Sequence, residues 1–293
     1  MSNSKHSTRT DAAAPRLEVL MSWWGMSGLD EPGREEDIER RVERIAAAGF
    51  DGINGALPAP ERQELWDRLL QRYNLSLSIN AYPRTAAEMT DCLEQAKQHG
   101  NIQHINVQVM TPFIMDEAAV SLLRDLVELS RGSGIPAYIE THRGTITQDL
   151  IRTAQYVRRL EELRLTIDFS HYVVAGEMHT VSEEAESLLQ LLLARTSAIH
   201  GRVSNGEQVQ IDIGEQGEHP MLEYFERWWQ TGMRSWLASA APGDVLPFVC
   251  ELGPPPYAIT TGASPGGEEI SDRWGQSLLL QAAARRIWKA ATL

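Results

Sequence analysis

The sequence predicts an α/β protein that folds as a single (β/α)8 TIM barrel. A short apolar run followed by a longer amphipathic stretch recurs eight times along the chain. This alternation is typical of parallel strands joined by helical crossovers. The length of 293 residues suits one large barrel. No linker divides the eight pairs, so the pattern leaves nothing over for a second domain.

The predicted strands are short runs in which apolar residues continue or alternate until a polar residue ends the run. The first is LEVLMS at 17–22, and the fourth is HINVQV, which alternates polar and apolar side chains. In chain order the predicted strands lie at 17–22, 51–54, 75–80, 104–109, 137–142, 163–168, 198–203 and 246–251.

The predicted helices are the charged amphipathic stretches between these runs. In the first, Ile38, Val42 and Ile45 recur at helical spacing and Gly49 marks the end. The fourth ends in the same way at Gly132. In chain order the predicted helices lie at 34–48, 61–73, 85–99, 115–131, 147–160, 182–193, 221–236 and 268–289.

A doubly wound parallel sheet is the structural alternative. No glycine-rich phosphate loop follows the first strand, which weakens the nucleotide-binding version of that fold. Residues 1–15 are small and polar without periodicity, so we expect a disordered N-terminal tail and a barrel domain at 16–293. Pro- and Gly-rich stretches at 253–256 and 262–267 follow the last strand, on the face where barrels keep their active sites.

Composition limits the classes of partner. The formal net charge of −13 disfavours a surface that coats nucleic acid, since phosphate binding needs a basic footprint. No apolar run reaches the roughly 18 residues of a membrane span. The N-terminus lacks the apolar core of a secretory signal, and the 2 cysteines suit a reducing compartment. We therefore expect a cytoplasmic protein that binds neither nucleic acid nor membrane.

Four successive strands end in, or carry, a carboxylate or an imidazole, and strand ends meet at one mouth of a barrel. These residues are Glu140, Asp168, His200 and Glu251. Such an oxygen-rich set suits a divalent metal ion, and one imidazole moves the preference from Mg2+ towards Mn2+, Co2+ or Zn2+. Of these ions, we expect Mn2+ to be the one that binds. Taken singly, each residue could instead cap a helix, form an ion pair or be a hydrogen-bonded core residue.

Other polar residues at this mouth are candidates for substrate binding. His142 and Arg143 come at the end of the fifth strand, and His171 follows the sixth. Arg202 lies two residues after His200, so strand alternation points both side chains inward. An inward arginine suits a substrate oxygen or carboxylate, and an ion pair with a neighbouring carboxylate is the alternative.

A polar strand face and two tryptophans complete the candidate substrate contacts. Gln108 shares one face of the fourth strand with His104 and Asn106. That face could bind sugar hydroxyls or form a hydrated layer of the barrel core. Trp24, or its neighbour Trp23, could form a wall over a sugar ring or simply pack in the core.

The same strand ends resemble the xylose-isomerase-like barrel superfamily, within a bacterial branch of sugar phosphate isomerases and epimerases. The resemblance lies in ETHRGTITQD at 140–149, IDFSHYVVAGE at 167–177, IHGRV at 199–203 and ELGPPPY at 251–257. It implies that the four strand-end residues are the metal ligands. It further implies that Glu140 and Glu251 form the acid/base pair and that His171 holds substrate oxygens.

The chain also departs from this superfamily. The ketose 3-epimerases have a glutamate where this chain has Ile146 and an arginine where it has Gly206, so the substrate end should be recognised differently. No lysine lies on these strand ends, which disfavours the two-metal hydride shift of xylose isomerase. The acidic balance and the few histidines at the mouth disfavour the three-metal site of endonuclease IV.

The expected function is that of a divalent-metal-dependent isomerase or epimerase that acts on a sugar or keto-sugar. Protons would be transferred through a metal-bound enediolate by Glu140 and Glu251. His142 is a further candidate base, with Arg143 or Arg202 holding the oxyanion. A lyase of the same chemistry is an alternative, either a dehydratase or an enzyme that cleaves a C-glycoside of an oxidised sugar. The other alternative is a non-catalytic barrel that binds a sugar or a partner, and homo-oligomerisation is suggested by analogy alone.

Overall fold

The computed structural model describes residues 13–29, 37–262 and 267–293, and in it eight parallel strands close into a barrel in chain order. The predicted fold class is confirmed. The strands are β1 (Arg16–Ser22), β2 (Gly52–Gly55), β3 (Ser76–Ala81), β4 (Ile102–Val107), β5 (Ala137–Glu140), β6 (Leu165–Ile167), β7 (Thr196–Gly201) and β8 (Val245–Cys250). The barrel closes where β1 pairs with β8, and Met21 lies opposite Cys250 in that register.

Helices surround the barrel and connect successive strands. Those within the described residues are α1 (Ile38–Ala47), α2 (Gln63–Tyr73), α3 (Ala86–His99), α4 (Asp116–Ser133), α5 (Leu150–Arg159), α6 (Ser170–Ala175), α7 (Glu183–Leu193), α8 (Pro220–Leu237) and α9 (Arg273–Ala291). Two of the predicted starts are marked by side chains that cap the helix: Thr85 accepts from the backbone of Glu88, and Ser182 accepts from that of Ala185. None of the described helices is both long and apolar enough to cross a bilayer.

The apolar faces of these helices pack on the outside of the barrel, as the periodicity predicts. Val42 and Ile45 of α1 are fully buried, and so are the large rings of Trp228 and Trp229 of α8. The N-terminal end of the barrel interior holds a polar group of its own. There the Glu18 carboxylate accepts hydrogen bonds from Ser76 (2.8 Å) and from Gln103 (2.5 Å).

The structure differs from the prediction at the ends of β5 and β6. β5 ends at Glu140 and β6 at Ile167, so His142 and Asp168 lie just beyond the strands. The Thr147 hydroxyl ends β5, because it donates to the carbonyl of Glu140 and accepts from the backbone N–H of His142. The short helix α6, which carries His171, was not predicted, since six residues are too few to show a helical period.

Parts of three segments singled out in the sequence lie outside the described residues, and the first two belong to predicted elements. These are positions 1–12 of the expected disordered tail and positions 34–36 at the start of the first predicted helix. Residues 263–266 of the second Pro- and Gly-rich stretch also lie outside them.

Candidate active site

The four predicted metal ligands converge at the C-terminal mouth of the barrel. Glu140 ends β5, Asp168 follows β6, His200 lies in β7 and Glu251 follows β8. Each offers one ligand atom, and these atoms all lie within 4.8 Å of one another. All four residues are buried, with only Glu251 exposed by as much as 5%. We call these four residues the ligand cluster.

The distances within the ligand cluster fit a divalent ion. Nδ1 of His200 lies 3.0 Å from Oε2 of Glu251 and 3.6 Å from Oε1 of Glu140. Two atoms that each bind an ion at about 2.1 Å lie about 3.0 Å apart at right angles and about 3.4 Å apart in a tetrahedron. Oε1 of Glu140 is buried and has no hydrogen-bond partner among the described residues. The cluster therefore holds an unsatisfied oxygen at the place where an ion would bind.

Charge interactions dominate the protonation of this cluster. Burial alone would lower the pKa of His200, but Glu251 and Glu140 raise it to about 10. Burial alone would raise the pKa of Glu140, but the His200 charge and hydrogen bonds hold it well below its usual value. Burial raises the pKa of Asp168 to about 6, against the opposing effect of Arg202. At neutral pH, three carboxylates thus face two cationic side chains.

Amide groups from neighbouring strands orient Glu140. Its Oε2 accepts hydrogen bonds from the amide of Asn106 (2.5 Å) and from that of Gln108 (2.9 Å). The Asn106 amide also donates to Asn80, which is paired with Asn54 across β2 and β3. This polar layer fixes one oxygen of Glu140 and leaves the other directed at the cluster.

Arg202 forms the ion pair that was one of its two predicted roles. Its guanidinium donates to Oδ2 of Asp168 (2.8 Å) and to Oε2 of Glu251 (2.6 Å). Its Nε also donates to the backbone carbonyl of Glu251 (2.9 Å). The other oxygen of Asp168 accepts from the backbone and hydroxyl of Ser170. Both oxygens of Asp168 are therefore held by the protein.

Two histidines and a tyrosine stand beside the cluster. The rings of His142 and His171 lie 3.8 Å apart between centroids. The Tyr257 hydroxyl lies 3.4 Å from Nε2 of His142, whose Nδ1 contacts the carbonyl of Arg143. Since a carbonyl only accepts, Nδ1 carries a proton and Nε2 is the basic nitrogen in the neutral ring. Burial raises the pKa of Tyr257, so its hydroxyl stays protonated.

A cavity of about 370 Å³ opens above the cluster, within the range of about 300–1,000 Å³ that is typical of small-molecule sites. The lining residues combine four aromatic rings with polar groups: Trp23, Trp24, Gly55, Ala56, Asn80, Tyr82, Gln108, His142, Arg202, Glu251 and Tyr257. Trp24 and Tyr257 pack edge to face with centroids 5.0 Å apart. The mouth is thus suited to a small polar molecule with a ring or chain that lies on aromatic walls.

The predicted substrate contacts fall into three groups. Trp24, Gln108 and Arg202 line the cavity. His171 is fully buried below it, with Nε2 3.1 Å from Nη1 of Arg202 and with no partner for Nδ1 within the ranges that the structure describes. Arg143 is exposed at the rim, 6.0 Å from the Tyr257 ring.

Sequence analysis missed Tyr82 and Tyr257 as cavity residues. Tyr257 lies six residues after Glu251, at the end of the ELGPPPY stretch at 251–257 that carries part of the family resemblance. A search of that stretch for aromatic residues could have found it. Tyr82 directly follows β3. That strand end carries no carboxylate, so nothing in the sequence singled it out.

Comparisons with known proteins agree with this architecture. A family described as xylose isomerase-like TIM barrel matches residues 42–227. A xylose isomerase-like TIM barrel protein from Mycobacterium smegmatis, solved with magnesium, is similar with a TM-score of 0.60 at 13% identity, over 94% of this chain and 97% of that one. An L-ribulose 3-epimerase gives 0.59 at 12% identity, over 94% and 96%.

A probable 3-DHS dehydratase from Bacillus anthracis gives a TM-score of 0.54 at 14% identity, over 79% of this chain and 91% of that one. At these identities the likeness shows the fold alone. No curated protein matches the sequence.

Proposed function

Since this chain belongs to the xylose isomerase-like TIM barrel family, we propose that it is a divalent-metal-dependent isomerase or epimerase of a sugar or keto-sugar. The observation that carries the proposal is the buried ligand cluster directly below an aromatic-walled cavity. An L-ribulose 3-epimerase and a D-psicose 3-epimerase are among the structures of the same fold. Mn2+ is the expected ion, given three carboxylates and one imidazole.

A divalent ion held by the ligand cluster would polarise a substrate carbonyl and make the adjacent C–H more acidic. Proton transfer then falls to side chains that reach the substrate. Of the three predicted catalytic residues, Glu251 and His142 line the cavity, whereas Glu140 is fully buried. We therefore assign proton transfer to Glu251 and His142, and to Glu140 the role of a metal ligand.

The surroundings of these two groups suit this assignment. Oε2 of Glu251 is held by Arg202 and His200, so its other oxygen is the one left for the substrate. Nε2 of His142 faces the cavity beside the Tyr257 hydroxyl, which can donate to it or to a substrate oxygen. With proton-transfer groups on different strands, removal and return of a proton need not use the same side chain.

Solvent-proton exchange tests this proposal. Purified protein with Mn2+ is incubated in heavy water with a panel of ketoses and 3-keto sugars, and deuterium in the recovered sugar is measured. Turnover of a substrate should wash in deuterium next to the carbonyl. Glu251→Gln and His142→Asn should each slow wash-in by about 10²–10⁴-fold, which is the usual contribution of a proton-transfer group. Glu18→Gln, at the other end of the barrel, is the matched control and should exchange normally.

Two results would contradict the proposal. Unchanged exchange in both variants would remove the assigned roles. Tight sugar binding with no exchange in the wild type would favour the non-catalytic alternative.

A lyase is the second candidate, because the Tyr257 hydroxyl gives the cavity a proton donor besides the two proton-transfer groups assigned above. Elimination requires protonation of a leaving oxygen or carbon, and the Tyr257–His142 pair offers that proton. The buried Ile146 stands where the ketose 3-epimerases have a glutamate, so this chain lacks one of their polar groups. Product analysis separates the two reactions, because elimination releases water or an aglycone, whereas epimerisation leaves the mass of the sugar unchanged.

A further inference from the structure

Arg202 places a permanent positive charge inside the ligand cluster. Its side chain is 1% exposed, and its guanidinium bridges two ligands that directly follow different strands, Asp168 after β6 and Glu251 after β8. The Tyr257 ring covers it, with the guanidinium carbon 4.9 Å from the ring centroid. A guanidinium keeps its charge in proteins, so this cation is present whatever else the site binds.

The guanidinium occupies one side of the cluster and leaves the other open. On its side, both oxygens of Asp168 and Oε2 of Glu251 accept hydrogen bonds from the protein. On the opposite side, Oε1 of Glu140 lies 3.6 Å from Nδ1 of His200, and no group in the described part of the chain donates a hydrogen bond to it. The buried carboxylate oxygen that is left unsatisfied for an ion therefore lies on the Glu140 side of the cluster, among the described residues.

The charges of the cluster lead to the same division. With His200 neutral as a ligand, three carboxylates and Arg202 leave two negative charges, which one divalent ion cancels. A second divalent ion would leave two uncompensated positive charges in a fully buried group, which is strongly unfavourable. Without Arg202, one divalent ion would leave a net negative charge.

A second group of potential ligands exists, and Arg202 disfavours it as well. Glu140, His142 and His171 also offer atoms within 4.8 Å of one another. However, an Nη1–H of Arg202 points at Nε2 of His171 over 3.1 Å, and an arginine can only donate. That contact occupies the lone pair of Nε2. The shared Glu140 carboxylate is the only anion of this second group.

We propose that Arg202 is the built-in second cation of the metal centre, which limits it to one divalent ion and weakens the binding of that ion. The inference rests on the proposed function in assuming that the ligand cluster binds metal. Arg202 contacts the ligands rather than the ion, and we expect the repulsion between its charge and the ion to outweigh the contribution of its hydrogen bonds to the orientation of Asp168 and Glu251. Its charge is repelled by the ion, so its removal should tighten binding.

The test measures bound Mn2+ and its affinity in the wild type, Arg202→Met and Arg202→Lys. Metal per chain is determined after dialysis against excess Mn2+, and the affinity by calorimetric titration of the metal-free proteins. We expect one ion per chain in the wild type and an affinity at least tenfold higher in Arg202→Met, since a repulsive unit charge a few ångströms away is removed. Arg202→Lys keeps a positive charge, although not the planar bridge between the two ligands, and its affinity should stay within about tenfold of the wild type. Arg143→Met removes an exposed cation at the rim and should not change the affinity.

Several results would overturn the inference. The first is the binding of two ions per wild-type chain, and the second is an Mn2+ affinity of Arg202→Met that is unchanged or weaker than that of the wild type. The third is a change of more than about tenfold in the Mn2+ affinity of Arg202→Lys. If Arg202→Met does not fold, the measurements on Arg202→Lys decide the test. A wild type that binds no Mn2+ would instead overturn the proposed metal centre, and this inference with it.

Discussion

The substitution Glu140→Gln separates the two tasks of this carboxylate, which are to bind a metal ion and to accept hydrogen bonds from β4. Glutamine keeps a carbonyl oxygen for the amides of Asn106 and Gln108. Its NH2 group then takes the place of Oε1, where it cannot bind a cation. In the wild type, three carboxylates face the two cationic side chains of His200 and Arg202. The substitution removes one of these negative charges, so the net charge of the metal-free site falls from −1 to zero. We expect the metal-free variant to be within about 1 kcal/mol of the wild type in free energy of unfolding.

The effect on metal binding should be large. Loss of a residue that only orients a metal ligand weakens affinity by about 10–100-fold, so loss of the ligand itself should weaken it by at least about 100-fold. At an ion concentration of 100 times the wild-type Kd, the wild type gains about 2.7 kcal/mol of stability, and the variant about 0.4 kcal/mol. For a chain of this size the difference corresponds to about 5 °C in Tm.

The assay is thermal unfolding with EDTA and with added Mn2+. Glu18→Gln is the matched control, because Glu18 also accepts hydrogen bonds from an amide and lies at the opposite end of the barrel interior. It should keep the full metal-dependent shift. Glu140→Ala should instead lose about 1–3 kcal/mol even without metal, because two amides lose their acceptor. If Mn2+ raises the Tm of Glu140→Gln by as much as it raises that of the wild type, the assignment of Glu140 as a metal ligand is refuted.

Three further predictions concern packing and pH. A Cβ on Gly253 would lie 1.9 Å from the Trp24 ring, so Gly253→Ala should displace Trp24 and raise the KM for any substrate, with the metal affinity unchanged. A Cβ on Gly201 would lie 2.5 Å from the Phe248 ring, so Gly201→Ala should lose about 1–3 kcal/mol in urea unfolding. Burial lowers the pKa of His104 to about 3 in the folded chain. Below about pH 6.5 the His104 imidazole is therefore protonated in the unfolded chain but stays neutral in the folded chain. Stability should fall by about 2 kcal/mol from pH 7 to pH 5 through this residue, and His104→Leu should abolish that part of the loss. An equal loss in both proteins would contradict this explanation.

The fold was predictable because each of its elements carries a local signal. Apolar runs and helical periods recur eight times, and the ends of parallel strands meet by topology alone. The convergence of Glu140, Asp168, His200 and Glu251 follows from that rule without any knowledge of their side-chain contacts. The short helix α6 was not predicted, because it has fewer residues than are needed to recognise a helical period in the sequence.

The finer structure of the site depends on contacts between distant parts of the chain. The sequence left two roles open for Arg202, and the choice depends on Asp168 and Glu251, which directly follow two other strands. Strand alternation would point His142 inward with Glu140, two residues earlier, but β5 ends at Glu140. His142 reaches the cavity because the Thr147 hydroxyl holds the turn that follows β5.

Burial divides the candidate site into two parts that substitutions should affect differently. Glu140, Asp168 and His200 are fully buried, so changes there act first on metal affinity and on the stability of the barrel. Trp24 and His142 line the cavity, so changes there act on substrate binding and proton transfer. Glu251 belongs to both parts, because one oxygen is tied to Arg202 and His200 while the residue also lines the cavity. Glu251→Gln should therefore both weaken metal binding and slow solvent-proton exchange, whereas His142→Asn should slow the exchange and leave metal binding unchanged. Equal metal affinities of the two variants would show that Glu251 is not a metal ligand.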